Sequence, residues 1–241
     1  MKEHTPFALE RLNENTLIIQ FTGDDASPPT EAVARLWAVI DQQIGHQLRN
    51  AVPASCSLLL EFELEGAHLN QILQQIQGIL AGFESTPQEG YFPANQHVIP
   101  VYYHRSVAPD LHYVAESHNL SIEAVIDLHT STTYTVEAVG FVPGFAYMGS
   151  VPPTIATPRQ ATPRTRVETG SVGIAENQTG IYPRPSPGGW NIIGLTPTQV
   201  LHPLNQCINP ADACVFKTGD RVQFRSISCA EFEHLHEESG Q

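Results

Sequence analysis

G-F-V-P-G-F-A-Y-M-G-S (140–150), T-P-R-Q-A-T-P-R-T-R-V (157–167) and G-S-V-G-I-A-E-N-Q-T-G-I-Y-P-R-P-S-P-G-G-W (170–190) follow one another in the second half of the chain. Glycines and prolines at this density fix the backbone into bends and leave room only for short extended pieces between them. Gly170–Ala175 and Asn191–Leu195 read as two such strands. Working outward, Tyr134–Val139 and Arg221–Arg225 are two more, and Lys217-Thr218-Gly219-Asp220 turns into the last, where Val222 and Phe224 should face inward. Short strands separated by turns predict a β-barrel.

The same stretch concentrates positive charge. The chain has 241 residues, 12 Lys+Arg against 25 Asp+Glu and a formal net charge of −13. Four of those basic residues, Arg159, Arg164, Arg166 and Arg184, fall here, with Glu168 and Glu176 as the acids between them. An acidic protein lacks the field that nucleic acid or an anionic membrane needs, so the basic island points to a pocket for a small anion. Each proline disfavours helix for the residue before it, so the run is extended and Arg164 and Arg166 share a face. Two adjacent guanidiniums repel unless an anion or acid lies between them. A charge-assisted hydrogen bond contributes about 1.5–3 kcal/mol, enough for two to recognise a phosphate or carboxylate. The structural alternative is that Glu168, Glu176 or a distant aspartate neutralises them.

Gln178, Thr179 and Tyr182 are placed to bring amide, hydroxyl and phenol beside that site. Ser186, ahead of Gly188-Gly189, offers a hydroxyl or a nest of backbone N–H groups. Tyr182 and Trp190 also suit the barrel core or rim. His129, closing a short helix, is either a charge at a helix C-terminus or an acid–base group.

Towards the N-terminus, Phe7–Leu9 and Thr16–Phe21 flank Asn13-Glu14-Asn15 as a hairpin. Helical spacing follows from about Pro29 to Leu48 and from about His68 to Leu80, with a strand over Ser55–Leu64 and an extra one near Val52. The order suggests a small open sandwich, and the turn-rich 85–90 marks its end. The second part opens with the strand His97–Tyr103 and helices Pro109–Ser117 and Ser121–His129, the latter with Ser121 as N-cap. That pair resembles a helix-turn-helix, but its second helix carries Glu123 and Asp127 and no Lys or Arg, which excludes DNA reading. Beyond Cys229 a frayed acidic terminus is expected. His234 and His236, two apart on such a tail, do not make a metal site.

No apolar run reaches membrane-spanning length, the start lacks a signal core, and Cys56, Cys207, Cys214 and Cys229 contain no C-x-x-C, so buried free thiols and a cytoplasmic location are expected. Phosphate-loop, dinucleotide, zinc-protease and nucleophile-elbow motifs are absent from the sequence.

Ile99-Pro100-Val101-Tyr102-Tyr103, Pro109-Asp110-Leu111, Leu128-His129-Thr130, Gly140–Tyr147, Thr157-Pro158-Arg159, Pro163–Val167, Gly170–Ala175, Gln178–Pro183 and Ser186–Trp190 together resemble the family of the 5-oxoprolinase B subunits and the allophanate hydrolase subunit 1-like proteins, which also contains an inhibitor of a sporulation histidine kinase. The likeness is loose over Phe7–Phe83 and tight over Val98–Phe224. It implies an α+β chain: a ferredoxin-like α/β sandwich over 1–90, a cyclophilin-like β-barrel over 96–228 and an acidic tail over 229–241. It also implies a homologous second subunit (allophanate hydrolase subunit 2-like) and a third, which together open 5-oxoproline to glutamate with ATP hydrolysis. Without a P-loop, this chain would supply part of a composite ATP site, with magnesium as an accompanying ion. On that basis Arg164, Arg166, Gln178 and Tyr182 are the expected catalytic residues. Arg159, Ser186, Gly188, Gly189, Thr179 and His129 are the expected substrate or phosphate contacts.

The chain departs from the family at Tyr103-His104-Arg105, where relatives commonly carry a Cys and a glycine pair. Glu168-Thr169 replaces the usual Pro-Ala, and Pro185 stands in place of an Asp. Two other functions fit the same family: a binding module that inhibits a kinase, and the carboxyltransferase half of a urea-type carboxylase. With lysines only at Lys2 and Lys217 and no Met-Lys-Met, any biotin would sit on another chain.

Overall fold

Alternation of apolar residues in Thr16–Phe21 and Ser57–Phe62, against a three- and four-residue apolar rhythm between them, builds the first unit. A computed structural model describes residues 7–21, 30–63, 69–85, 94–207 and 213–239. The chain divides into two units, Met1–Pro93 and Ala94–Gln241.

In the first unit, β1 (Phe7–Arg11) and β2 (Thr16–Phe21) form the expected hairpin, and α1 (Thr30–Ile44), β3 (Leu48–Pro53), β4 (Ser57–Phe62) and α2 (Leu69–Ser85) follow. The sheet order is β1-β2-β4-β3, antiparallel throughout. Leu17, Ile19, Leu58, Leu60 and Phe62 meet Val33, Leu36, Ile40, Ile72 and Ile76 in its core. This is not the ferredoxin-like order, which alternates β-α-β-β-α-β. The short Asn13–Asn15 turn commits two strands to a hairpin before the first helix, so no helical crossover joins them. The turn-rich break expected at 86–90 lies outside the described residues.

The second unit contains β5 (Gln96–Val101), α3 (Leu111–Ser117), α4 (Ile122–Ser131), β6 (Thr133–Val139), β7 (Ala146–Gly149), β8 (Arg164–Val167), β9 (Ser171–Ala175), β10 (Gln178–Ile181), β11 (Ser186–Gly188), β12 (Asn191–Leu195), β13 (Arg221–Ser226) and α5 (Cys229–Ser239). Ser121 caps α4, accepting from the Ala124 N–H at 3.1 Å. Seven strands run in the order β12-β9-β10-β7-β6-β13-β5. The two edges meet where Tyr102 and Leu195 exchange backbone hydrogen bonds of 2.8 and 3.1 Å, which nearly closes the barrel.

Side chains alternate between the two faces of this sheet. Tyr134, Val136, Met148, Val172, Ile174, Ile181, Ile193, Val222 and Phe224 fill the interior. Phe145, Val167, Ala175, Tyr182, Trp190 and Ile192 form a separate cluster on the outer face. The β8–β11 ribbon contributes Val167 to that cluster, so it lies over the outside of the barrel.

Two local expectations are corrected. The end of the chain is not frayed through Cys229–Ser239 but helical. Ser228 caps it by accepting from the Glu231 N–H at 3.2 Å, Arg225 pairs with Glu231 at 2.8 Å, and Phe232 packs on Tyr102 with ring centroids 5.6 Å apart. S-C-A-E is a capping-box spacing, hidden in the sequence by the surrounding acids. The four cysteines are free but not buried: Cys56 and Cys229 are exposed, and Cys207 and Cys214 are half-covered.

Candidate functional site

The arginines of the Pro-rich run are placed by different elements and do different things. Arg164 opens β8 and reaches back to Asp110, just before α3, with Nη2 donating to Oδ1 at 2.7 Å. That oxygen also accepts from Gln160 Nε2 at 2.8 Å, and Oδ2 accepts from the Ile192 N–H at 2.7 Å. Arg164 Nη1 lies 3.5 Å from the Trp190 carbonyl oxygen. The distant aspartate therefore ties three segments together through Arg164. Nothing in the spacing of the sequence signals it, since Asp110 and Arg164 are 54 positions apart.

Arg166 turns to the other side and pairs with Glu168 at 2.7 Å, both side chains 64% exposed. Arg164 and Arg166 do not share a ligand, although both lie in one short strand. The alternation breaks because β8 pairs with β11 through a register shift between Ser186 and Gly188. Arg159 is exposed and makes no ion pair among the described residues. Arg184 is exposed as well.

Tyr182 is buried in the outer cluster, edge-on to Phe145 with centroids 5.3 Å apart. Burial pushes its phenol up, while a hydrogen bond from the Trp190 backbone and the charges of Arg159 and Arg164 pull it part of the way back. The phenol therefore stays protonated at neutral pH and accepts from the Trp190 N–H, leaving its own hydrogen to donate. Gly188 passes directly beside that hydroxyl, where any Cβ would collide with it. Gly188 thus serves close approach to Tyr182 as its first role, whereas a Cβ at Gly189 would make only ordinary contacts with Pro163 and Gln160. Ser186 Oγ is buried without a hydrogen-bond partner among the described residues. Gly189 accepts at its carbonyl from the Gln160 N–H at 2.8 Å.

His129 and Thr179 lie on the interior of the barrel, fully buried. Thr179 Oγ1 donates to the Gly173 carbonyl at 2.9 Å, so it accepts from His129 Nε2 at 3.0 Å, and the Tyr103 hydroxyl donates to Nδ1 at 2.7 Å. The ring stacks on Phe224 at 4.5 Å. Burial lowers the His129 pKa to about 3. Neither expectation for His129 fits this setting: it is neither a helix-end charge nor an accessible acid–base group, because both ring nitrogens are engaged away from solvent.

Gln178 opens β10 on the outer face and donates through Nε2 to Glu137 Oε2 at 2.7 Å. In the sequence Glu137 stands out only as a polar position within a strand. The site thus collects Arg159, Arg164, Gln160, Tyr182, Gly188 and Gly189 around the Trp190 edge, with Gln178 further along the same sheet face. It leaves Arg166 outward and His129 and Thr179 inside. An uncommitted guanidinium next to a buried phenol hydroxyl can take a carboxylate or phosphate oxygen by charge and by hydrogen bond together.

Residues 7–210 match the family described as carboxyltransferase domain, subdomain C and D. The chain belongs to that family. Among its relatives, the B subunit of 5-oxoprolinase from Bacillus subtilis is 33% identical over 245 residues, covering 97% of this chain and 98% of the relative. The crystal structure of TTHA0988 superposes with a TM-score of 0.73 at 34% identity over 88% of this chain. This chain spans 40% of that longer protein. Kluyveromyces lactis urea carboxylase superposes at a TM-score of 0.69 with 16% identity, over 97% of this chain and 23% of its own, a likeness of fold.

Proposed function

We propose that this member of the carboxyltransferase subdomain C and D family is the B-type component of an ATP-driven 5-oxoprolinase, acting with a homologous second subunit and a third. The observation that carries it is the match to a 5-oxoprolinase B subunit along nearly the whole of both chains. The site chemistry supports it. A lactam carbonyl is a poor electrophile, and transfer of the ATP γ-phosphoryl group to its oxygen releases ADP and opens the ring carbon to water. Such a reaction asks the protein for charge clamps and orientation more than for a nucleophile.

Arg159 is a cation free to hold the substrate carboxylate or a phosphate, and Arg164, braced by Asp110, adds its field from a fixed position. Tyr182 donates its hydroxyl hydrogen into the same region, and Gln178 orients the ring. Arg166 and His129 take no part in contact with ligand. The Arg159 guanidinium beside Tyr182 fits one end of a nucleotide triphosphate rather than a whole ATP site. The remainder, with its magnesium, belongs to the partner subunits.

The test is to purify the chain with its partner subunits and follow ADP release as 5-oxoproline is added. ADP release that depends on both 5-oxoproline and this chain is expected. A fully assembled complex that hydrolyses ATP without regard to 5-oxoproline would overturn the assignment.

A further inference from the structure

The outer face of the barrel carries a polar pair that the anion site does not explain. Glu137 sits in β6 at a bulge: Val136 pairs with Met148 and Ala138 with Tyr147, leaving Glu137 as the extra residue. A bulge re-aims one side chain without breaking the strand. Here the carboxylate is laid across Gly149 of β7, where any Cβ would collide with it. Gly149 is also the cross-strand partner of Gln178 in β10. Gly149 pairs with Thr135 on β6, so the Glu137 side chain reaches obliquely over Gly149 to Gln178, and the missing side chain at Gly149 leaves room for that contact.

The chemistry of that contact fixes the direction of the amide. An ionised carboxylate can only accept, so Gln178 must turn its NH2 towards Glu137 and its carbonyl oxygen away. No protein group donates to that oxygen among the described residues, and Gln178 is only half-buried. We propose that Glu137 is a positioning residue that locks the Gln178 amide so that its oxygen reads an N–H of the ligand. Resting on the 5-oxoprolinase assignment for the ligand's identity, that donor is the lactam N–H, and the pair distinguishes a lactam from a lactone of the same shape. A free glutamine amide would rotate and accept or donate without preference. A site that holds an acceptor rigidly rejects an analogue lacking the donor far more strongly than one that merely offers space.

The experiment compares kcat/KM for 5-oxoproline with that for its ring-oxygen lactone in the complex with partner subunits. Only the change in that ratio between variants is read, which cancels the lactone's intrinsic reactivity. Gln178→Ala is expected to lower the lactam preference at least roughly tenfold, and Glu137→Leu by a similar factor. Glu137→Gln offers Gln178 a donor as well as an acceptor and so no longer fixes the amide, and it should lower the preference by an intermediate factor of about threefold or more. An unchanged ratio in Gln178→Ala, or a Glu137→Gln variant as selective as the unmodified protein, overturns the proposal. If the complex shows no 5-oxoproline-dependent turnover, the functional assignment fails by itself. The subsite is then judged on the full chain alone, by titrating 2-pyrrolidinone and γ-butyrolactone against the 15N-labelled side-chain amide of Gln178. A shift with the lactam and none with the lactone supports it; equal responses, or none to either, overturn it.

Discussion

Arg164 Nη2 lies 2.7 Å from Asp110 Oδ1, and that aspartate holds the Ile192 N–H with its other oxygen at 2.7 Å. The pair is mostly buried, with 29% of the arginine side chain and 9% of the aspartate side chain exposed. Breaking such a pair from the acid side strands three donors at once. Asp110→Ala should therefore destabilise the barrel by about 3–5 kcal/mol. Arg164→Ala leaves Asp110 bonded to Gln160 and the Ile192 N–H, so about 1–3 kcal/mol is expected. Urea denaturation midpoints check both. An Asp110→Ala variant as stable as the unmodified chain would show that the knot is ornamental.

Because Arg164 is structural as well as near the site, Arg159 is the cleaner probe of anion binding. Arg159→Ala removes an exposed side chain with no ion pair among the described residues, so its melting temperature should stay close to that of the unmodified chain. Loss of one charge-assisted contact should raise KM for the anionic substrate by roughly tenfold or more. Arg166→Ala breaks only the exposed pair with Glu168 and should leave both the denaturation midpoint and turnover close to those of the unmodified chain. Steady-state kinetics of the two variants side by side decide the matter. Activity lost with Arg166 and kept without Arg159 would reverse the roles given to them.

His129 ties the interior of the barrel to pH. Its folded pKa is lowered to about 3 by burial, against 6.5 for the free side chain. Between those values the unfolded chain binds a proton that the folded chain refuses, so stability is present above about pH 6.5 and is lost as pH falls. The loss approaches about 1.4 kcal/mol per pH unit for this one group. His129→Gln can still accept from Tyr103 and donate to Thr179, but cannot take up the proton. Its stability, measured by urea denaturation at pH 7, 6 and 5, should show a slope shallower by about that amount. Identical slopes for both proteins would place the acid sensitivity elsewhere.

The parts of the fold readable from sequence were those set by local pattern. The Asn13–Asn15 turn, the apolar rhythm of α1 and α2, the Ser121 cap and the inward Val222 and Phe224 all follow from spacing within a few residues. β7, β8, β10 and β11 are three or four residues long, too short for periodicity to register among glycines and prolines. In the site, the arginine cluster announced itself by composition, but its sorting did not. Whether a guanidinium is free depends on Asp110 and on the register shift that turns Arg166 outward, both products of tertiary pairing. Glu137 escaped for the same reason, since a bulge is visible only once two strands are side by side.

Gly188 offers the most direct test of how Tyr182 is held. A Cβ there would meet the phenol hydroxyl itself rather than the flexible end of a side chain. The ring cannot retreat easily, because Phe145 packs edge-on against it and the Trp190 backbone bonds its oxygen. Gly188→Ala should therefore overpack the cluster and destabilise the chain by about 1–3 kcal/mol. Adding Tyr182→Phe removes the nearest of the colliding atoms but leaves ring carbons Cε1 and Cζ each 2.8 Å from that Cβ, so the double variant should recover only part of the stability lost in Gly188→Ala. It should not recover activity, since the donating hydroxyl is gone. A double-mutant cycle on denaturation midpoints isolates the coupling. Strict additivity of the two changes would mean that the collision is relieved by backbone movement at Gly188, and that Tyr182 is not fixed by this close approach.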